Sequence, residues 1–207
     1  MKRYIEKIKA FPFVSVTLVG INIVVFLVCY FTKDMLYDAG CCGVYDTVIN
    51  KEYYRMLTAT FLHADLEHLF NNMLLLGFMG AMLEKIIGHL PFTVIYILSG
   101  IGGNILSLCV KWYQNDWAVS LGASGAVFGL DGLLLAIVLI LGERVQEDIP
   151  LSRVAIMIGL SLYSGFSESN IDNAGHVGGL IVGFLGSVLI CLVKRLRSAN
   201  ERSRYEY

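Results

Sequence analysis

The chain of 207 residues is strongly apolar, since 56% of its residues are hydrophobic and only 16% are charged, and its mean hydropathy is +0.66. Soluble globular domains have roughly 25% charged residues, so this composition indicates a membrane protein. The formal net charge of -1 offers no basic surface that would neutralise phosphates, which excludes nucleic acid as a partner.

The first ten residues carry four basic side chains ahead of a long apolar run, a pattern that resembles a signal peptide. The run is too long for a cleaved hydrophobic region and no small-x-small cleavage site follows it, so we predict a retained first span. A helix needs roughly 20 apolar residues to cross the hydrocarbon core, because its backbone groups must all be bonded internally. Six stretches meet or nearly meet this requirement: residues 13–31, 68–87, 91–110, 122–142, 150–166 and 174–193.

The predicted fold is an all-α membrane protein, a bundle of six transmembrane helices. A basic N-terminus (1–12) precedes the six-span core (13–193), which includes an outer loop (32–67), and a tail (194–207) follows. With the N-terminus inside, twelve Lys and Arg residues fall in inner segments and four in outer ones, so both termini are predicted to be cytoplasmic. This orientation brings the N-terminal ends of spans two, four and six together at the outer face.

The five cysteines do not form a metal or disulfide pattern. Three lie in apolar runs, Cys41 and Cys42 are adjacent in a polar loop, and no CxxC pair occurs in the sequence. Because adjacent cysteines are difficult to join, Cys41 and Cys42 are predicted to be free thiols, with a redox or intermolecular role as the alternative. The HExxH motif of metalloproteases is also absent from the sequence. We predict neither a metal nor a cofactor.

Polar residues cluster at the outer ends of three predicted spans, where they are costly and therefore often functional. They are His68 and Asn72 on the second span, Ser124 on the fourth and His176 on the sixth. A serine hydroxyl becomes a useful nucleophile when a neighbouring imidazole takes its proton. Ser124 and His176 are therefore predicted to be a nucleophile and its base.

Rows of glycine beside both residues indicate that their helices pack closely, because small residues let two backbones approach in lipid. The rows are Gly125, Gly129 and Gly132 on span four, and Gly175, Gly179 and Gly183 on span six. The alternative is that the glycines serve packing alone and that the serine bonds to a carbonyl one turn back. A serine and a histidine in one layer, each beside its own row, favour catalysis.

Acyl transfer also needs donors for the developing oxyanion. His68 and Asn72 are four residues apart and so share a helix face, and Asn72 carries an amide N–H donor. Ser124 stands at a helix start, where its backbone N–H lacks an intrahelical partner. The alternatives are an interhelical hydrogen bond for Asn72 and an interfacial position for His68, and spacing does not choose between them.

Several segments occur in the same order as in a known family: Tyr53-Tyr54-Arg55-Met56-Leu57-Thr58, Phe61-Leu62-His63, His68-Leu69-Phe70-Asn71-Asn72-Met73, Glu84, Gly122-Ala123-Ser124-Gly125-Ala126 and Ala174-Gly175-His176-Val177-Gly178-Gly179. Over about residues 50–190 the chain thus resembles the rhomboid family of intramembrane serine proteases. The resemblance implies a dyad of Ser124 and His176 without an acidic third member. It also implies an oxyanion site made by His68, Asn72 and the backbone N–H of Ser124.

The resemblance further implies that the outer loop folds partly into the outer leaflet and that a mobile fifth span admits substrate. Phe128 matches an aromatic residue that packs against the catalytic histidine. Two features depart from the family pattern: Tyr54-Arg55 replaces Trp-Arg, and Asp131 lies inside span four. Asp131 is about 10 Å deeper than Ser124 at 1.5 Å per residue, too far for a direct triad acid. A structural carboxyl and a water-linked or regulatory one are both open.

We predict an intramembrane serine endopeptidase that cleaves transmembrane substrates near the outer face, with the lipid bilayer as its medium. One alternative is an inactive rhomboid-like factor that binds and escorts membrane proteins, and another is a small channel or transporter lined by Asp131, Asn104 and the histidines. The predicted location is a prokaryotic plasma membrane. His63 and His89 are interpreted as interfacial residues, and the basic C-terminal cluster as an anchor to anionic headgroups.

Overall fold

The computed structural model describes residues 11–32, 35–141 and 172–203, together with the isolated positions 152, 156, 159, 160 and 163. Among these residues the secondary structure is helical, apart from one isolated bridge between Cys42 and Ser120. The helices are α1 (Phe13–Phe31), α2 (Met35–Gly40), α3 (Arg55–Thr58), α4 (Leu66–Ile87), α5 (His89–Gln114), α6 (Ser124–Leu141) and α7 (Asn173–Ser203). Two further short helical turns, Val44–Ile49 and Ala59–Phe61, belong to the outer loop.

Four of these helices are long and apolar enough to cross a membrane by length and composition: α1, α4, α5 and the Asn173–Val193 part of α7. The predicted bounds of the first span agree with α1, whereas α5 continues to Gln114, four residues beyond the predicted end. Its last turn includes Lys111 and Trp112, whose carbonyl oxygens accept hydrogen bonds from the backbone N–H of Asn115. The helix ends there, because Asn115 adopts a left-handed conformation. The predicted fifth span lies outside the described residues, except for isolated positions.

Local signals explain where α4 and α5 begin. Asp65 is extended, and its side chain accepts a hydrogen bond from the backbone N–H of His68 at 2.8 Å, which caps the start of α4. Gly88 separates the two helices with a φ of 95° that favours glycine. Pro91 follows in the first turn of α5, where a missing N–H costs nothing.

The C-terminal end of α4 also caps α1. The carboxylate of Glu84 accepts hydrogen bonds from the backbone N–H groups of Val14 and Ser15 and from the hydroxyl of Ser15, at 2.6–2.8 Å. A negative group is favourable at a helix N-terminus, where the first N–H groups have no intrahelical acceptor. Glu84 thereby fixes the start of the first helix against the second long helix, although the two are 70 residues apart in sequence.

The shortest of the five long apolar helices, α6, is the central one. It packs against both α5 and α7, and nearly every side chain from Ala126 to Ile137 is buried. Surrounding protein replaces lipid along most of its length. The helices around it, α1, α4, α5 and α7, instead leave large apolar side chains exposed, as expected of surfaces that face the bilayer.

Glycine rows bring α6 and α7 into backbone contact, as predicted. A Cβ atom added at Gly179 would lie 1.9 Å from the carbonyl oxygen of Gly125, and one at Gly183 would lie 2.1 Å from that of Gly129. No side chain fits at either distance. The seam between α6 and α7 therefore depends on the missing side chains.

The outer loop is held together around Arg55, which is buried. Its guanidinium donates to the carboxylate of Glu52 at 2.5 Å and to the carbonyl oxygens of Asp38 and Cys41 at 2.8 and 3.2 Å. Cys41 and Cys42 are free and buried, which confirms the prediction of free thiols. Burial raises the pKa of each of these two thiols to about 11, so both stay protonated and unreactive at neutral pH.

Candidate active site

Ser124 is the first residue of α6 and follows a sharp turn at Gly122. The φ of Gly122 is 125°, a conformation that residues with a side chain rarely adopt. A Cβ atom at Gly122 would lie 2.7 Å from two ring atoms of His68 and 3.8 Å from the hydroxyl oxygen of Ser124. The turn thus lets the serine hydroxyl and the His68 ring approach the same point.

His176 lies in the first turn of α7, and its ring stacks on that of Phe128. The ring centroids are 4.2 Å apart and the planes differ by 7°, which is the packing expected for Phe128. Phe128 is one helical turn after Ser124. A Cβ atom at Gly125 would lie 3.4 Å from the carbonyl oxygen of Gly175, so the two helix starts touch beside the serine and the histidine.

The two predicted oxyanion donors on α4, His68 and Asn72, are joined by one hydrogen bond. Asn72 is buried and donates one amide hydrogen to the backbone carbonyl of His68 at 3.1 Å. A primary amide has a second hydrogen, which this bond leaves for another acceptor. The His68 ring is half-buried and makes an edge-to-face contact with the ring of His63 at 5.1 Å.

His63 is the residue whose interpretation was wrong, because it is completely buried rather than interfacial. Its Nε2 accepts a hydrogen bond from the backbone N–H of Ala123 at 3.4 Å, and the hydroxyl of Tyr37 donates to its carbonyl oxygen. Burial and the neighbouring His68 lower the pKa of His63 to about 3, so the ring is neutral at physiological pH. The sequence indicated its importance only through the segment Phe61-Leu62-His63, which belongs to the family resemblance.

A second group missed by sequence reasoning surrounds Asp172, the residue before α7. Its carboxylate accepts hydrogen bonds from the hydroxyls of Ser107 and Ser120 and from the backbone N–H of Gly175. The ammonium of Lys111 lies 3.8 Å from the carboxylate. Burial alone would raise the pKa of Asp172, but these hydrogen bonds and the lysine charge outweigh it and lower that pKa below its usual value.

The remaining predicted residues belong to the outer loop or to the long helices. Arg55 organises the outer loop through Glu52 and two carbonyl oxygens, and Gly179 belongs to the seam between α6 and α7. Asp131 is buried on α6, seven residues after Ser124. The side chain of His89, which was interpreted as interfacial, is 54% exposed, and its Nδ1 is 2.5 Å from the carboxylate of Glu84. Within the described part of the chain, no three His, Cys, Asp or Glu residues are grouped to hold a metal ion.

The fold and the site together define a class: an all-helical integral membrane protein with a serine and a histidine at the adjoining starts of two glycine-packed helices. The Rhomboid domain model matches residues 50–193, which is more than half of the chain. The chain belongs to the Rhomboid family.

Named relatives agree with this assignment. The chain is 39% identical to Rhomboid protease GluP of Bacillus subtilis over 69% of this chain and 27% of that protein. It is 36% identical to RHOMBOID-like protein 4 of Arabidopsis thaliana over 81% of this chain and 42% of that protein. It is 35% identical to YdcA of Bacillus subtilis over 72% of this chain and 73% of that protein. The chain thus spans less than half the length of the first two relatives.

Proposed function

We propose that the chain is an intramembrane serine endopeptidase that hydrolyses peptide bonds of transmembrane proteins near the outer membrane face. The observation that carries the proposal is the arrangement at the starts of α6 and α7. The ring of His176 stacks on Phe128, one turn from Ser124, while the Gly122 turn holds His68 beside the serine hydroxyl. Membership of a family with relatives named as proteases supports the same reading.

In the proposed reaction, the hydroxyl oxygen of Ser124 attacks the scissile carbonyl and His176 takes the hydroxyl proton. His176 then gives this proton to the departing amine, which leaves an acyl-enzyme on Ser124. A water molecule, deprotonated by His176, attacks the ester carbonyl; the bond to the Ser124 oxygen breaks, His176 returns the proton to that oxygen, and the second product leaves as a carboxylic acid. The reaction uses only protons that the histidine receives and returns, so it requires neither metal nor cofactor.

The developing oxyanion would be bound by the ring of His68, the second amide hydrogen of Asn72 and the backbone N–H of Ser124. Asn72 and His68 share one face of α4 and are buried or half-buried. Preorganised donors of this kind act strongly where water is excluded. The first N–H groups of α6 have no intrahelical acceptor, and the positive end of the helix dipole points at the same place.

The membrane arrangement belongs to the same proposal. We propose six spans in residues 13–193, cytoplasmic segments at 1–12 and 194–207, and a fifth span within residues 150–166. Positive charges concentrated in the inner segments support this orientation. Relatives occur in a bacterium and in plants, where two carry the words chloroplastic and mitochondrial in their names. Of these settings we propose the plasma membrane of a prokaryote for this chain.

Labelling with a fluorophosphonate tests the chemistry, because this probe reacts with an activated serine. The detergent-solubilised wild type should label, whereas Ser124→Ala and His176→Ala should lose at least about 100-fold of the labelling rate. Ser187→Ala is a matched control, because Ser187 is a buried serine on α7 that donates to the carbonyl of Gly183 one turn back. It should label like the wild type.

The same experiment distinguishes the proteolytic role from an inactive binding role. A wild type that fails to label and fails to cleave a transmembrane substrate in liposomes would overturn the proposal in favour of an escort function. Equal labelling of wild type and Ser124→Ala would place the reactive serine elsewhere.

A further inference from the structure

Four polar side chains form a connected group at the outer ends of α5 and α7, which we name the outer clasp: Ser107, Lys111, Ser120 and Asp172. One carboxylate oxygen of Asp172 accepts from the hydroxyls of both serines, at 2.5 Å for Ser120. The serine oxygens are 2.8 Å apart, and Lys111 donates to Ser120 at 2.6 Å. The group therefore joins α5, the segment before α6 and the start of α7.

We propose that Asp172 is a positioning residue for catalysis: through the outer clasp it fixes His176 relative to Ser124. The proposal rests on the proposed function, because it concerns the distance between the two members of the dyad. In this proposal Asp172 does not act on Ser124 or on the substrate directly. It acts through the backbone segments that carry the two reacting side chains.

The spacing of the clasp supports this role. Ser120 precedes Ser124 by four residues, and Asp172 precedes His176 by four residues. The hydrogen bond between Ser120 and Asp172 thus links two points that are equally close to the members of the dyad. A shift of either segment at this bond would move its reacting side chain directly.

Both connecting segments are held at further points, so the link can transmit position. On the serine side, Ser120 exchanges two backbone hydrogen bonds with Cys42, at 2.7 and 3.0 Å, which fastens it to the outer loop. On the histidine side, the second carboxylate oxygen of Asp172 accepts from the backbone N–H of Gly175 at 2.9 Å and caps α7. The carbonyl of Asp172 accepts from the backbone N–H of His176 at 3.1 Å.

The glycine seam alone does not define this placement. Gly125 and Gly179 meet through van der Waals contact, which has no preferred direction. Charge-assisted hydrogen bonds are directional and short, and those of Asp172 are half-buried, so they specify a register. The lowered pKa of Asp172 keeps its carboxylate ionised at neutral pH. Displacement of a catalytic group by 1 Å can cost about 100-fold in rate.

Steady-state cleavage of a transmembrane substrate by the full chain in liposomes tests the proposal through kcat and KM. Asp172→Ala should lower kcat by about 30- to 100-fold while KM stays within about threefold, since substrate contacts are unchanged. Asp172→Asn should recover only part of the loss, because an amide oxygen can still cap α7 whereas the charge-assisted bonds that both serines donate to the carboxylate are lost. Ser120→Ala should lower kcat by about tenfold.

A double variant separates a shared clasp from two independent effects. Ser120→Ala combined with Asp172→Ala should be no slower than Asp172→Ala alone, because the second change removes a bond that is already lost. Asp116→Ala is the matched control: Asp116 also has a carboxylate near the end of α5, and within the described part of the chain this carboxylate accepts a local bond from the backbone N–H of Ala118. Its kcat should equal that of the wild type within about twofold.

A measurement that does not depend on activity completes the test. Amide hydrogen exchange in peptides that cover 173–177 should increase in Asp172→Ala and, to a lesser degree, in Ser120→Ala. The proposal is overturned if kcat in both variants stays within about twofold of the wild type, if their losses multiply, or if exchange is unchanged. A wild type that neither labels nor cleaves instead indicates failure of the proposed function, and the exchange result then still decides whether the clasp orders α7.

Discussion

At residue 63 a neutral imidazole accepts a hydrogen bond from the backbone N–H of Ala123, one position before the proposed nucleophile. The same ring supports His68 from the side. His63 therefore stabilises two parts of the proposed site without taking part in the chemistry. Protonation would convert its accepting nitrogen into a donor and place a charge in a buried position, which makes the site sensitive to acid.

The acid sensitivity has a defined direction. The unfolded chain binds a proton at His63 below about pH 6.5, whereas the native chain, with a pKa of about 3, does not. The contribution of His63 to the free energy of unfolding is therefore complete above pH 6.5 and falls by about 1.4 kcal/mol per pH unit as the pH drops from 6.5 towards 3. Thermal unfolding of detergent-solubilised protein between pH 4.5 and 7.5 measures this slope.

His63→Gln provides the comparison for that experiment. Glutamine does not titrate, so this variant should be less stable at pH 7.5 but should lose less additional stability on acidification than the wild type. Parallel pH profiles for the two proteins would show that His63 is not the titrating group.

At the scale of elements, the contact between α6 and α7 decides whether the serine and histidine segments adjoin. Gly179→Ala would place a Cβ atom 1.9 Å from the backbone oxygen of Gly125, and neither backbone can move without separating the helices. We expect the free energy of unfolding to fall by at least about 1–3 kcal/mol and fluorophosphonate labelling to be lost. Unfolding in detergent and the labelling assay measure the two effects.

Gly20 supplies the control for this substitution, because it is also a glycine inside a long apolar helix. Among the residues that the structure describes, none lies within 4 Å of a Cβ atom added at Gly20. Gly20→Ala should leave labelling unchanged and alter stability by no more than about 1 kcal/mol. A Gly179→Ala variant that behaves like Gly20→Ala would mean that the seam is not tightly packed in the membrane.

At the scale of the whole molecule, the outer ends of α4, α6 and α7 must lie on one side of the membrane for the proposed site to form. The proposed topology puts both termini on the inner side and the turn at Asn115 on the outer side. Alkaline phosphatase is active only outside the bacterial cytoplasm, whereas green fluorescent protein folds inside it. A fluorescent-protein fusion after Tyr207 should therefore be bright, and a phosphatase fusion after Asn115 should be active.

The reverse fusions are the controls, and they should be silent. An active phosphatase fusion after Tyr207 would indicate an odd number of spans, which would contradict the proposed fifth span within residues 150–166. The site would keep its geometry among α4, α6 and α7, but the orientation of the tail would have to be revised.

The amino-acid sequence by itself determined the helices and the residues that can carry the chemistry. The bounds of α1 and the presence of α4, α5 and α6 follow from runs of apolar residues, because backbone bonding within lipid is a local requirement. The glycine rows predicted the close approach of α6 and α7, since the absence of a side chain is readable directly. Family membership followed from short segments in a fixed order, and the Rhomboid domain match confirms it.

Only the tertiary structure decided what surrounds these residues. The bond from Ala123 to His63 joins positions 60 apart in sequence, and that from Ser120 to Asp172 joins positions 52 apart. Hydropathy and spacing carry no information about such pairs. An isolated histidine or aspartate has the same sequence pattern whether its side chain faces water or a buried partner. The central position of the short helix α6 was hidden for the same reason: burial by protein and burial by lipid select the same apolar side chains.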